Sequence, residues 1–345
     1  LLQLPSASST AAMASRALNL FTICRRQFAP PAPSPPGWRA WRQRRHRQPL
    51  SLLLKQSPLV SQLALYDIQG VKGVAADLSH ISTKAELLSS RRGVPRKPGM
   101  TRDDLFNTNA GIVADLITAV AKTCPKAMIC IVTNPVPNST VPIAAEILKK
   151  HNAYDPRRLF WSHHAGHCAI QTHLWPRPRG WTCPSVPVIG GHSGVTIIPV
   201  ISQAVPSVSF KAQDRETLTT RIQNAGTEAG AGSATLSMAF AAEKFVDSVL
   251  QAIDGKRGVI ECAFVESTVT EAPYFSTPLL LGRDGVEENL GLGNLIEFEA
   301  KLLQAAMPEL QQKHRQGREV REGALLIARD EVQICDCRWI ILEYL

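Results

Sequence analysis

One apolar strand constrains the fold of this chain more than any other feature. Residues Ala127 to Thr133 read AMICIVT, a continuous apolar run without the polar alternation of a half-exposed strand. Such runs are typical of parallel strands that are covered on both faces. The run ends at Asn134-Pro135, which is a turn signal, and a helix is predicted from about Val141 to His151. Strand, turn and helix in this order favour an α/β fold.

The same alternation continues along the chain, which at 345 residues is long enough for two domains. We expect a Rossmann-type parallel sheet domain, incomplete, over 31–158, an α/β substrate domain over 159–322 and an atypical tail over 323–345. Further helices are predicted over 49–57, 103–123, 214–228, 233–253 and 296–318, and further strands over 63–68, 186–189, 195–201, 258–265 and 277–281.

Positive charge is concentrated near the N-terminus. Residues 1–66 contain nine of the 38 basic residues and no acidic residue, so the remaining 29 basic residues are balanced by 29 acidic ones. A neutral body disfavours a broad phosphate-binding face, and we expect no nucleic-acid partner. The alternative is a nucleic-acid contact through the arginines and tryptophans of 38–47. No apolar run approaches the roughly 18 residues of a membrane span, so no membrane partner is expected.

Residues 1–30 have the composition of a mitochondrial transit peptide. Met13 to Pro30 contains Arg16, Arg25 and Arg26, apolar residues between them and no acid. The prediction is import into the mitochondrial matrix, and the alternative is a basic tail without a targeting role. The eight cysteines form no CxxC pair, so we interpret them as reduced thiols.

A histidine among glycines is the clearest candidate for chemistry. Residues 186–194 read VPVIGGHSG, which places His192 directly after an apolar stretch. Glycines allow a tight turn and a close approach of ligand, and a histidine can exchange a proton near neutral pH. The alternative is an ordinary surface turn.

Other candidates are polar residues in loops or at strand ends. Arg96 and Arg102 flank Pro98-Gly99, and paired guanidinium groups suit a small dicarboxylate, although a solvated basic loop is the alternative. Asp67 stands near the end of a strand, where dinucleotide folds hold the adenosine ribose. Asn134 could contact a ligand or simply form the turn, and Met238 is by default a core residue.

Seven segments together resemble the mitochondrial NAD-dependent malate dehydrogenases of the lactate/malate dehydrogenase family. The resemblance covers most of residues 48–318. The segments are LYDI (65–68), GVAADLSH (73–80), GVPRKPGMTRDDLFNTN (93–109), IVTNPV (131–136), VPVIGGHSG (186–194), GAGSATLSMAF (230–240) and YFSTPLLLG (274–282).

The resemblance implies reversible oxidation of malate to oxaloacetate with NAD, as in the tricarboxylic acid cycle, by a homodimer without a metal. It implies that His192 is the general acid and base, and that Arg96 and Arg102 bind substrate carboxylates, with Asn134 between substrate and nicotinamide. The cofactor-binding positions that it implies are Asp67, Asn109, Val132, Thr133, Asn134 and Met238.

The chain departs from the family pattern in three places. The glycine-rich phosphate loop is replaced by AWRQRRHR over 40–47, and the LDIVR-like motif, whose aspartate orients the histidine, is replaced by the sequence of 161–183. A third departure is the absence of one family strand between Glu86 and Gly93.

These departures leave a second interpretation open, a catalytically impaired pseudoenzyme or decayed gene product. With allowed codons, 161–169 read one base later can give GVTTLDIVR, and 40–47 can give LGGSGGIG, which we interpret as local frame changes. The same argument disfavours a metal site at His163, His164, His167 and Cys168 despite ligand-like spacing.

Overall fold

The described residues form a mixed sheet of eleven strands with helices packed against it. The computed structural model of the chain describes residues 18–24, 47–67, 71–91, 113–114, 116–132, 137–162, 185–192, 194–207, 209–228, 236–324 and 339–344. Within these ranges no helix is long and apolar enough to cross a membrane.

The strands are not arranged in the order of the chain. Their order across the sheet is β3-β2-β1-β11-β4-β5-β8-β9-β6-β7, and β10 pairs with β9. Their bounds are β1 Leu18–Cys24, β2 Gln62–Asp67, β3 Glu86–Arg91, β4 Met128–Ile131, β5 Leu159–Ser162, β6 Val188–Gly190, β7 Ile197–Pro199, β8 Val259–Glu266, β9 Tyr274–Gly282, β10 Gly285–Asn289 and β11 Trp339–Tyr344.

The helices connect the strands in the α/β manner that the sequence predicts. Short 3-10 helices at Pro156–Arg158, Gly194–Thr196 and Ile201–Gln203 complete the connections. The α-helices are α1 Arg47–Gln56, α2 Val71–Ser79, α3 over 116–123, α4 Pro137–Lys150, α5 Ala212–Glu228, α6 Leu236–Ile253 and α7 Glu297–Ala324.

Strand directions divide the sheet into a parallel and an antiparallel part. β3 and β2 are parallel to each other, as are β11, β4 and β5, and all five run the same way. Only β1 among these neighbours runs in the opposite direction. From β5 onward every pair is antiparallel. The predicted α/β class is confirmed, with a reversed strand inside the parallel part.

The core lies on both faces of the sheet. One cluster includes Phe160 and Phe245, whose rings meet edge to face at 6.1 Å, and joins α1 to α6. A second cluster includes Trp161 and the buried face of α4, and two smaller clusters lie around β6 and β7. Since successive strand residues point to opposite faces, Phe160 and Trp161 of β5 enter different clusters. All four residues of β4 are buried, as the apolar run 127–133 predicts.

Five strands lie in segments where the sequence predicts none: β1, β3, β5, β10 and β11. β3 occupies Glu86–Arg91, where a family strand is expected to be absent, so that expectation is wrong. β1 falls within the predicted transit peptide and β11 within the predicted tail. Ile340 and Ile341 of β11 are fully buried and contact opposite core clusters, as expected of a strand in the middle of a sheet. Their pairing joins residues at the two ends of the chain, which local sequence patterns cannot reveal.

Candidate active site

A glycine turn holds His192 at the end of β6. Gly190 has φ +98°, a left-handed conformation that favours glycine, and a Cβ there would clash with the carbonyl oxygen of Thr196. The amide of Gly191 donates to that same carbonyl at 2.8 Å. A Cβ on Gly191 would meet the Thr196 Oγ1 at 2.7 Å and press on Leu310 of α7. Both glycines are therefore required by the turn that presents His192.

The imidazole of His192 lies against the indole of Trp161. The two ring centroids are 4.1 Å apart and the planes are inclined by 55°. Trp161 is 1% exposed, whereas His192 is half-buried. One face of the histidine ring thus contacts a buried aromatic group.

A row of residues paired from strand to strand links the turn that carries His192 to Trp161 of β5. Trp161 pairs with Phe264 of β8, which pairs with Ser276 of β9, and Ser276 pairs with Gly190, two residues before His192. On the other side of Trp161, this row of paired residues continues through β4, β11, β1 and β2, where its members are Ile131, Leu342, Leu20 and Tyr66.

The row places two of the candidate cofactor residues at one edge of the sheet. Asp67 follows Tyr66 as the last residue of β2, and Val132 follows Ile131 directly after β4, where it is buried. Because β2 and β4 run the same way, both residues lie at the carboxyl edge. Open α/β sheets bind ligands outside this edge, and an acidic residue at the end of the second strand suits the ribose hydroxyls of a dinucleotide.

Helix α1 begins near the same edge. The short connection 57–61 leads from the end of α1 to the start of β2, so the first turn of α1 lies toward the carboxyl ends of the strands. A helix N-terminus there attracts phosphate. Residues 40–47 contain four arginines and no glycine, and the attraction of arginine cannot reproduce the close backbone approach that glycines allow. Asp67, Val132 and the start of α1 therefore lie along the same edge of the sheet.

Met238 has the environment of a core residue. It lies in the first turn of α6, is half-buried, and packs against the cluster that includes Val132. Proximity to that cluster is compatible with the cofactor role that the sequence predicts, and with the simpler core role.

The remaining predicted site residues lie outside the described part of the chain. They are Arg96, Arg102, Asn109, Thr133 and Asn134, together with the histidines and the cysteine of 163–168. Among the described residues no group of three or more His, Cys, Asp or Glu side chains could hold a metal ion.

Sequence reasoning did not find Trp161. It ends an apolar stretch, Leu159 to Trp161, and nothing local distinguishes it from a core residue. Its contact with His192 arises through β8 and β9, which lie about a hundred residues further along the chain. Only the register of the sheet reveals the contact.

Comparison with known proteins identifies the family. Residues 88–161 match the lactate/malate dehydrogenase NAD binding domain, and residues 181–321 match the lactate/malate dehydrogenase alpha/beta C-terminal domain. The mitochondrial malate dehydrogenase of Sus scrofa is 53% identical over 304 residues, which cover 79% of this chain and 87% of that protein. The chain belongs to the lactate/malate dehydrogenase family.

Other members of the lactate/malate dehydrogenase family support the assignment. The mitochondrial malate dehydrogenase of Homo sapiens is 52% identical over 296 residues, covering 78% of this chain and 87% of that protein. Among solved structures, Cryptosporidium parvum malate dehydrogenase has a TM-score of 0.62 at 22% identity, covering 80% of this chain and 96% of that one. The lactate dehydrogenase of the same organism, complexed with lactic acid and nicotinamide adenine dinucleotide, has a TM-score of 0.64 at 20% identity, covering 79% and 95%. These structural matches show the fold.

The two residues of the aromatic contact fall in different matched ranges of the lactate/malate dehydrogenase family. Trp161 is the last residue of the first range, and His192 lies inside the second. Residues 162–180 belong to neither range, which agrees with the departure that the sequence shows over 161–183. Strands β1, β2 and β11 also lie outside both ranges.

Proposed function

We propose that the protein is an NAD-dependent malate dehydrogenase that interconverts malate and oxaloacetate. The observation that carries this proposal is His192, half-buried on a glycine turn, in a chain more than half identical to a mitochondrial malate dehydrogenase. The turn fixes the backbone beneath a histidine that is not fully buried, as proton exchange with a small substrate requires.

His192 is the general acid and base in this proposal. When malate is oxidised, the imidazole accepts the proton of the carbon-2 hydroxyl as the carbonyl forms. In the reverse direction the imidazolium returns this proton to the carbonyl oxygen of oxaloacetate. Bound NAD would supply the acceptor for the hydride that leaves carbon 2. A histidine suits both directions because its ordinary pKa lies near neutral pH.

Two arginines supply the charge that the substrate requires. Arg96 and Arg102 bind the two carboxylates of malate through their guanidinium groups, and Asn134 contacts the substrate beside the nicotinamide. Asp67 accepts hydrogen bonds from the adenosine ribose, while Asn109, Val132, Thr133 and Met238 complete the cofactor contacts. The family resemblance supports each of these assignments.

The cellular setting follows from the relatives and the N-terminal composition. We place the protein in the mitochondrion, in the matrix, with residues 1–30 as its transit peptide and the tricarboxylic acid cycle as its pathway. Because Leu18–Cys24 of this segment form β1 inside the sheet, the proposal requires that β1 stays with the protein after import. The division into a nucleotide domain over 31–158, a substrate domain over 159–322 and a tail over 323–345 belongs to the same proposal, with β1 and β11 added to the nucleotide sheet from outside 31–158. A homodimer is also part of this proposal.

A substrate-choice assay tests the proposal. The purified full chain is mixed with NADH and either oxaloacetate or pyruvate, and loss of NADH absorbance is followed. We expect turnover with oxaloacetate and little with pyruvate, because only the dicarboxylate engages both arginines. Binding of NADH without turnover of either substrate would contradict the proposal. Preference for pyruvate would keep the family and change the substrate.

A further inference from the structure

The indole of Trp161 is held rigidly where it meets His192. Trp161 stands in β5 between Ile131 of β4 and Phe264 of β8, paired in register with both. It is 1% exposed, among the largest fully buried side chains of the described residues. A buried aromatic side chain packed between neighbouring strands has little rotational freedom, so it presents a fixed surface to whatever lies against it.

His192, unlike Trp161, does not lie within a strand but in a turn at the end of a three-residue strand. Its backbone is fixed by Gly190 and Gly191, and the orientation of the imidazole depends on two further side-chain torsions. The contact with Trp161, at 4.1 Å between ring centroids and 55° between planes, restricts that rotation. Tilted aromatic pairs of this separation are attractive beyond the burial of their surfaces.

We propose that Trp161 is a positioning residue for His192, holding the imidazole in the orientation needed for proton transfer. The inference rests on the proposed function, because it assigns the proton transfer to His192. Residues 161–183, where the family carries its orienting aspartate, contain no Asp or Glu. Aromatic packing from the first residue of that segment therefore does part of what a carboxylate would do there.

Activity measurements separate positioning from binding. Trp161→Leu keeps an apolar side chain but removes the aromatic surface, so we expect kcat to fall on the order of 10- to 100-fold. KM for oxaloacetate and the Kd of NADH should change far less, because Trp161 supports the imidazole rather than either ligand. Trp161→Phe retains an aromatic ring and should restore kcat to within about threefold of the unmodified protein.

A proton NMR signal reports the contact without any need for turnover. The indole shields protons held over its face, so the imidazole C–H resonances of His192 are expected upfield of ordinary histidines. They are assigned by their loss in His192→Asn. Trp161→Leu should move them to ordinary positions, and Trp161→Phe should leave them between the two.

Phe160→Leu is the matched control. Phe160 precedes Trp161 in β5, is equally buried and faces the other core cluster against Phe245. This variant should lose stability much as Trp161→Leu does, with kcat and the His192 resonances unchanged. If Trp161→Leu matches Phe160→Leu in both readouts, the positioning role is wrong. If the unmodified chain turns over no oxaloacetate, the proposed function is wrong, and so is the positioning of His192 for catalysis. An upfield His192 signal in that case would still establish the contact between the two rings.

Discussion

Strands β8, β9 and β10 pair with their neighbours in the chain, whereas the middle of the sheet is formed by strands from opposite ends of it. β8 and β9 pair over eight residues across the connection 267–273, and β9 turns into β10 through Arg283 and Asp284. By contrast, β1 pairs Leu18 with Tyr344. Contacts between distant residues carry a larger cost in loop-closure entropy.

The sheet can therefore be divided into two regions, and only one of them contains the strands β1 and β11 from opposite ends of the chain. The hairpin region, residues 185–310, includes the turn that carries His192. The nucleotide region, residues 18–162 together with 339–344, provides the edge at Asp67 and Val132. Trp161 of β5 lies at the boundary, where the last parallel strand meets antiparallel β8. We infer that the backbone turn beneath His192 is local, while its contact with Trp161 and the nucleotide edge both depend on long-range pairing.

The largest expected effect is a loss of stability that affects the nucleotide region and spares the hairpin region. Ile341→Asp places a charge in β11, where Ile341 is fully buried, and should lower the free energy of unfolding by about 4 kcal/mol or more. Hydrogen exchange should show lost protection in β2 and β4 and retained protection in β8 and β9.

Ile260→Asp is the control, since Ile260 of β8 is 54% exposed. It should cost less than about 1 kcal/mol. Equal loss of protection in both regions of the Ile341→Asp variant would show that the sheet unfolds as one unit and would remove the distinction.

The next effect concerns catalysis rather than stability. His192→Asn should lower kcat about 1000-fold, because general acid–base catalysis contributes roughly 10² to 10⁴ in rate. Thermal unfolding should be nearly unchanged, since the half-buried ring fills little of the core. Steady-state kinetics and a melting curve on the same sample check both statements. Unchanged kcat would mean that another group transfers the proton.

Within the hairpin region, the glycine turn should show a moderate effect. Gly190→Ala introduces a side chain at φ +98° against the Thr196 carbonyl and should cost about 2 kcal/mol. Gly73→Ala in α2 is the control, because open space surrounds Gly73 and alanine favours helix by up to about 1 kcal/mol. Urea unfolding measures both. If Gly190→Ala is also neutral, the turn is not fixed as described.

The smallest effect lies at the joint between the regions. Hydrogen bonds from Arg157 hold the pKa of the Asp155 carboxyl below its usual value, and Arg158 reaches Asp284 at the β9–β10 turn. Because the pKa of Asp155 is depressed in the folded state, this carboxylate stabilises the fold at pH values above the ordinary aspartate pKa of about 3.9. The stabilisation is lost as the pH falls from that value through the lower pKa of the folded state. Asp155→Asn should therefore be slightly less stable at neutral pH and converge with the unmodified protein in acid. A constant difference across the pH range would contradict this origin.

Local patterns in the sequence predict most elements of the fold. The apolar run 127–133 contains β4, and the periodic segments 214–228 and 233–253 closely match α5 and α6. The motif around His192 also predicts a glycine turn, which the structure confirms. These features depend on neighbouring residues, so hydrophobic period and turn chemistry are sufficient to find them.

Long-range pairing is what the sequence does not reveal. WIILEY at Trp339–Tyr344 has the composition of a buried strand, but its partners are Leu18–Cys24 and Met128–Ile131. Likewise, Trp161 contacts His192 only because β8 and β9 lie between their strands. The cofactor and substrate roles of Asp67, Asn109 and Arg96 come from resemblance and stay predictions.

Isotope transfer tests the central claim most directly. The full chain is incubated with oxaloacetate and NADH that carries deuterium at the transferable position, and the malate formed is examined by mass spectrometry. The account predicts deuterium at carbon 2 of malate with the unmodified protein and almost none with His192→Asn. Unlabelled malate, or equal labelling by both proteins, would contradict direct hydride transfer assisted by His192.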